Sequence, residues 1–209
     1  MIIDFHTHCF PDGLAVKALN RLSHLSGGMV PHTDGTLAGV RRSMAEHRGD
    51  ASVVLNIATN PHQMHKVNDY AFEMDRDERI VAFGSVHPDA PDALEELERI
   101  RAAGLKGVKL HPDFQHFRLD DPAALRLFEA MAERELPLLV HTGDYRYDYS
   151  NPECMARALD HVPKLKAICA HLGGWSVWTE AWKELAGRPG VWVDTSSSLY
   201  AMQPEEAAN

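Results

Sequence analysis

Short apolar runs alternate along the chain with segments whose apolar residues recur every three or four places. Residues 51–58, 80–87, 106–111, 136–142, 165–171 and 191–195 are the apolar runs and predict strands. Residues 60–77, 91–103, 121–135, 152–161 and 177–186 carry helical spacing between them. Residues 1–8 add a first strand, Met1-Ile2-Ile3-Asp4-Phe5-His6-Thr7-His8. Its period of two predicts Asp4, His6 and His8 on one face and Ile3, Phe5 and Thr7 on the other. Residues 9–34 form a long loop holding a small helix from Leu14 to Leu25, and 36–47 form the next helix. Seven strands alternating with helices, most of them apolar throughout, predict a parallel sheet covered on both faces.

Two closures fit that alternation, an open doubly wound sheet and a (β/α)8 barrel. The open sheet would place a Gly-rich phosphate turn after the first strand. This chain has His6-Thr7-His8-Cys9-Phe10 there, which favours the barrel. The expectation is therefore one α/β barrel domain over residues 1–209, with seven strands and an insertion at about 9–34. A homodimer would cover the edges left open.

Composition narrows the function. The net charge is −9 with no basic run, which argues against nucleic-acid binding. No apolar stretch approaches the ~20 residues that span a bilayer, so no membrane partner is expected. The first residues enter a strand rather than a signal peptide, and three cysteines make no CxxC pair. A cytoplasmic protein with a small-molecule substrate is the expectation.

Thirteen histidines are unusual for 209 residues, and several close strands. His6 and His8 end the first, His111 follows Lys109 at the fourth, His141 ends the fifth and His171 the sixth. In a barrel these ends meet at the active-site mouth. Several imidazoles buried together without partners cost on the order of a few kcal/mol each. A shared cation would relieve that cost.

In order along the chain, Asp4-x-His6-x-His8, Gly107-Val108-Lys109-Leu110-His111-Pro112, Val140-His141-Thr142-Gly143, Ala170-His171-Leu172-Gly173-Gly174 and Val193-Asp194-Thr195-Ser196 resemble the amidohydrolase superfamily. The likeness is to the group that includes aminocarboxymuconate-semialdehyde decarboxylase. It implies a metal-dependent barrel in which His6, His8 and His141 hold a divalent ion, zinc above others and one ion rather than two. His171 would be the catalytic acid/base or charge stabiliser beside a metal-bound water. Lys109, which in some relatives is carboxylated and bridges two ions, would here face substrate. The family's barrel is a distorted TIM barrel whose eighth strand, with its aspartate, has no counterpart in these residues; Gln203 to Asn209 resemble the start of the helix before it, so the C-terminus looks truncated, and Asp194 belongs to the seventh-strand motif instead.

The implied activity is hydrolysis or decarboxylation of a small carboxylated or ring-derived substrate, with Lys109, His111, Asp144 and Trp175 as substrate-binding residues. An inactive metal-binding fragment is one alternative. A phosphoesterase on a related barrel is another, weakened by the few cations near the strand ends, Lys109, Arg118 and Arg146. Asp4 is expected to orient a histidine from behind. Trp178 and Trp182, four apart, are expected to pack in the helix layer, and Glu95, Glu96 and Glu98 to form a solvated face.

Overall fold

A computed structural model describes residues 1–26 and 30–203. Its strands are β1 (Ile3–Thr7), β2 (Ala51–Leu55), β3 (Ile80–Phe83), β4 (Val108–Leu110), β5 (Leu138–Val140), β6 (Ala167–Cys169) and β7 (Val191–Val193). The helices are α1 (Asp12–Leu25), α2 (Leu37–Glu46), α3 (Met64–Met74), α4 (Ala93–Ala102), α5 (Pro112–Gln115), α6 (Pro122–Glu133), α7 (Pro152–His161) and α8 (Trp178–Leu185). Every strand pairing is parallel, and strand order follows chain order in two ladders, β1-β2-β3 and β4-β5-β6-β7. A parallel bridge from Gly84 to Val108 joins the ladders, so the strands form one curved wall. The wall is a seven-stranded partial barrel, with β1 and β7 as its edges. No described helix is long and apolar enough to cross a membrane.

Period two sorts the side chains of this wall. Val54, Val108, Leu110, Leu138 and Val140 face outward into the large core shared with the helices. Val53, Leu55, Phe83, Leu139 and Ala170 make a smaller inner cluster. Lys109 lies between the two outward residues of β4 and in register with Leu139 and Ile168, so it faces inward and is fully buried. His111 and His141 each follow an inward residue by two places. The same alternation that fills the barrel thus delivers their rings to its mouth.

Some expectations change. The ladder register of β1 shifts between Asp4 and Thr7, and such an irregularity re-aims side chains. Asp4 therefore stays exposed, while the His6 and His8 side chains turn in. The strands are shorter than the apolar runs, because the last residues of each run leave the ladder to build the mouth. Residues 112–115, expected in a loop, form a helical turn. Pro112 opens it, and the Gln115 amide ties it down by accepting from His111 N at 2.8 Å and donating to the Ala58 and Val86 carbonyls at 2.9 and 2.8 Å.

Glu96 is buried, not solvated, because the Asn68 amide at 2.6 Å and the Arg99 guanidinium at 2.7 Å meet its carboxylate. Trp182 is 74% exposed rather than packed, and Trp178 instead donates its indole N–H to the His171 carbonyl at 3.0 Å. Of the C-terminal residues expected to begin a helix, 204–209 lie outside the described residues, as do Gly27, Gly28 and Met29 of the insertion.

Candidate active site

Five imidazoles from the ends of β1, β4, β5 and β6 form a continuous arc at the mouth. Ring centroids lie 5.2 Å apart for His8 and His6, 5.0 Å for His6 and His171, 4.9 Å for His171 and His141, and 4.1 Å for His141 and His111. Phe114 caps the far end, stacked 3.8 Å from His111. Two sets of three ligand atoms lie within 4.8 Å of one another among the described residues. They come from His6, His171 and Asp194, and from His111, Asp113 and His141. His8 sits beside the first set.

On the β1 and β6 side, every Nδ1 is tied outward. His8 Nδ1 lies 2.8 Å from the Leu55 carbonyl, and His171 Nδ1 lies 2.9 Å from the Ser196 carbonyl. His6 Nδ1 lies 2.7 Å from Asp194 Oδ2. Carbonyls and an ionised carboxylate only accept hydrogen bonds, so each Nδ1 carries the proton and each neutral ring keeps a bare Nε2. Burial, with the Lys109 charge next, pulls His8 and His171 down to about 4 and holds His6 well below its ordinary value. These rings are therefore neutral at pH 7.

Burial alone would raise Asp194. The hydrogen bond from His6, then the Ser196 hydroxyl and the His171 N–H, outweigh it and hold the carboxyl far below the usual range. The His171 segment is bent to fit. His171 and Leu172 both adopt left-handed backbone, at φ 60° and 56°, which costs roughly 1–2 kcal/mol per residue. Hydrogen bonds from His171 N to Asp194 Oδ1 and from Leu172 N to the Asp194 carbonyl hold them there, at 3.1 and 2.7 Å.

The β4 and β5 side is different. Lys109 Nζ, His111 Nδ1, Asp113 Oδ1 and His141 Nε2 are buried and have no hydrogen-bond partner. Burial pushes the Lys109 ammonium down to about 7, with Asp194 opposing, and pushes the Asp113 carboxyl up to about 7 against the Ser150 hydrogen bond. Asp113 Oδ2 lies 3.5 Å from His141 Nε2, 3.8 Å from His111 Nδ1 and 2.8 Å from the Ser150 hydroxyl, which also reaches the Gly143 carbonyl at 2.7 Å.

The donor set suits a divalent cation. Three neutral imidazoles hold preset Nε2 lone pairs, and a fourth, His141, has a buried Nε2 with nothing to bond. The His111 and His141 rings are less suited to sharing an ion. Their planes differ by only 9°, so an ion in the plane of one ring lies well outside the plane of the other.

The remaining expected residues fall nearby. Asp144 is buried and takes both the Nε and Nη2 of Arg146, at 2.8 and 2.6 Å. The Arg146 guanidinium lies 5.6 Å over the Trp175 ring and also donates to the Leu25 carbonyl at the end of α1. Gly143 makes this corner possible. Its φ is +80°, and a Cβ there would fall 2.5 Å from Gly174 C. Asp4, expected behind a histidine ring, makes only a long 3.3 Å bond from His6 N. Asp194 does that work from the opposite end of the chain. Ser150 and Ser196 were not anticipated as site residues, and Asp113 only as part of the loop after β4. Asp113 offered one signal, two places after His111, and Ser196 another, inside the seventh-strand motif.

No curated protein matches in sequence. Solved structures do match in fold. An uncharacterized TIM-barrel protein from Bordetella bronchiseptica superposes with a TM-score of 0.73 at 19% identity, over 93% of this chain and 74% of that one. A 2,6-dihydroxybenzoate decarboxylase complexed with 2,6-dihydroxybenzoate gives 0.63 at 18%, over 93% and 80%. A 5-carboxyvanillate decarboxylase from Novosphingobium aromaticivorans with bound manganese gives 0.60 at 15%, over 83% and 66%. The chain thus spans two thirds to four fifths of these neighbours. The amidohydrolase family matches residues 3–209, nearly the whole chain. With its parallel partial barrel and its histidines gathered at the strand ends, this chain belongs to the amidohydrolase family.

Proposed function

We propose that this chain is a metal-dependent decarboxylase or hydrolase acting on a small carboxylated, ring-derived compound. The observation that carries the reading is the arc of neutral imidazoles with inward Nε2 atoms at the barrel mouth. His6, His8 and His141 would hold the ion, with zinc expected and one ion per chain. When bound, such an ion polarises a substrate oxygen and lowers the pKa of water near it.

The chain's own groups supply the rest. His171 presents a bare Nε2 next to His6 and serves as the base that holds a proton from the reacting centre. Lys109 and His111 offer unpartnered donors to an anionic substrate. Asp144 acts through Arg146, fixing that cation over Trp175, where a ring-bearing substrate would meet an apolar wall. The names of the decarboxylase neighbours, whose substrates are carboxylated phenols, support this substrate class. A phosphoester substrate is less well served, because Arg118 and Arg146 are both spent on aspartates. Three free cysteines, all buried, suit a reducing cytoplasmic setting, and a homodimer would cover β1 and β7.

Elemental analysis of purified protein, followed by carbon dioxide release from a panel of carboxylated phenols, tests the reading. About one transition metal per chain and turnover of at least one such acid are expected. Protein that carries metal but turns over neither these acids nor ester and lactone substrates would be the inactive scaffold instead.

A further inference from the structure

We propose that Asp194 is a positioning residue of this site, one that sets the tautomer of His6 and seats the His171 segment. Its carboxylate has about four lone-pair sites. Four donors meet the carboxylate. His6 Nδ1 lies at 2.7 Å on Oδ2, while the Ser196 hydroxyl, Ser196 N and His171 N lie at 2.5, 3.0 and 3.1 Å on Oδ1. Oδ1 is saturated, and Oδ2 faces the protonated Nδ1 of His6. The close set of His6, His171 and Asp194 atoms is therefore an outer frame, and the open valences face the other way, at the Nε2 atoms.

The Ser196 hydroxyl extends the frame. Having given its proton to Asp194, it turns lone pairs toward His6 Nδ1 at 2.9 Å and His171 Nδ1 at 3.0 Å. One hydroxyl thus stands against both rings. The contact also joins the two edges of the wall, because His6 ends β1 and Asp194 follows β7. Both partners of that pair are almost fully buried, so solvent does not compete for it.

Charge is the decisive property. An anionic acceptor leaves His6 one choice, Nδ1–H with Nε2 bare. An amide in its place can turn either its oxygen or its NH2 toward the ring. The second orientation moves the proton to Nε2 and removes the lone pair a cation needs. The link to cation binding rests on the reading proposed above, but the tautomer itself does not.

The test is long-range 1H–15N correlation NMR of histidine-labelled, metal-free full-length protein, paired with calorimetric titration of zinc. In the wild type, His6 and His171 are expected as Nδ1–H tautomers. In Asp194→Asn, His6 is expected to become mixed or Nε2–H while His171, still bonded to the Ser196 carbonyl, does not change. Zinc affinity should then fall ~10–100-fold. Ser196→Ala keeps the carboxylate, so the His6 tautomer should persist and zinc affinity should drop only a few-fold. A merely structural role would lower the melting temperature without moving the tautomer of folded protein. The proposal is overturned if wild-type His6 is already Nε2–H, a measurement that needs no variant, or if folded Asp194→Asn keeps both the Nδ1–H tautomer and full zinc affinity. Expected tautomers in a wild type that binds no zinc would support the frame and sink the cation reading.

Discussion

The two sides of the imidazole arc are built differently. On the β1 and β6 side, His6, His8 and His171 each have Nδ1 tied to a carboxylate or carbonyl. On the β4 and β5 side, Lys109, His111, Asp113 and His141 each keep a buried polar atom with no partner. Leaving such a group unsatisfied costs about 1–3 kcal/mol, so whatever supplies partners to these four atoms stabilises them by a similar amount. The difference teaches which side is finished and which waits. The first is preorganised before anything binds. The second has its backbone pinned, and each side chain keeps a polar atom that no other protein group meets.

That pinning is visible one layer back. The Ser85 hydroxyl donates to the Lys109 carbonyl at 2.8 Å, and Asn68 brackets Ser85 by accepting from its N–H and donating to its carbonyl. Buried Glu96 holds Asn68, and Arg99 holds Glu96. The idle side chains of β4 therefore stand on a rigid base, which suits a site that must present donors in fixed places.

The contrast can be broken or sharpened experimentally. The largest effect is expected from His6→Ala, which removes one of the preset Nε2 donors. Bound transition metal should fall to background by elemental analysis, and unchanged occupancy would erase the distinction between the two sides. Next, His171→Gln should leave the metal in place but lower kcat by ~10²–10⁴-fold, the usual worth of a positioned acid or base. Metal lost in parallel would make His171 a ligand instead.

On the waiting side, Lys109→Met removes the idle ammonium at little change in volume. Binding of a carboxylated phenol, followed by calorimetry, should weaken roughly tenfold, as suits loss of one charged hydrogen bond, with the metal retained. Equal affinity in the variant would mean that Lys109 does not meet the ligand.

The smallest effect concerns the base. The Glu96 carboxyl is held below its ordinary value, because the Arg99 and Asn68 hydrogen bonds outweigh the burial that would raise it. A carboxyl lowered on folding stabilises above its unfolded pKa and loses that contribution as pH falls through the folded value. The melting temperature of wild type should thus decline on acidification below about pH 4.5, near the ordinary carboxylate value. Glu96→Gln should flatten that part of the profile.

Much of this molecule was legible in the one-dimensional pattern. The seven strands and the helices between them follow from apolar runs and helical spacing, because a wall covered on both faces demands continuous apolar strands. The gathering of His6, His8, His111, His141 and His171 followed from their places at strand ends, since parallel strands bring those ends to one rim. Other assignments failed for local physical reasons. Asp4 shares the period of His6, but the register shift in β1 leaves it in solvent. Glu96 carries a charge on a helix rich in charges, and only the approach of Asn68 and Arg99 permits its burial. Trp178 has helical spacing to Trp182, yet one anchors His171 and the other is exposed.

Periodicity along a strand decides its inward face without reference to any other part of the chain, so the class of fold and the meeting of these histidines follow from local pattern alone. Only the tertiary structure decided which nitrogen of each ring is free. That choice belongs to Asp194, Ser196 and the Leu55 carbonyl, groups far away in sequence from the rings they meet. A tautomer is set by the acceptor across the space between two strands, and distance along the chain holds no record of it.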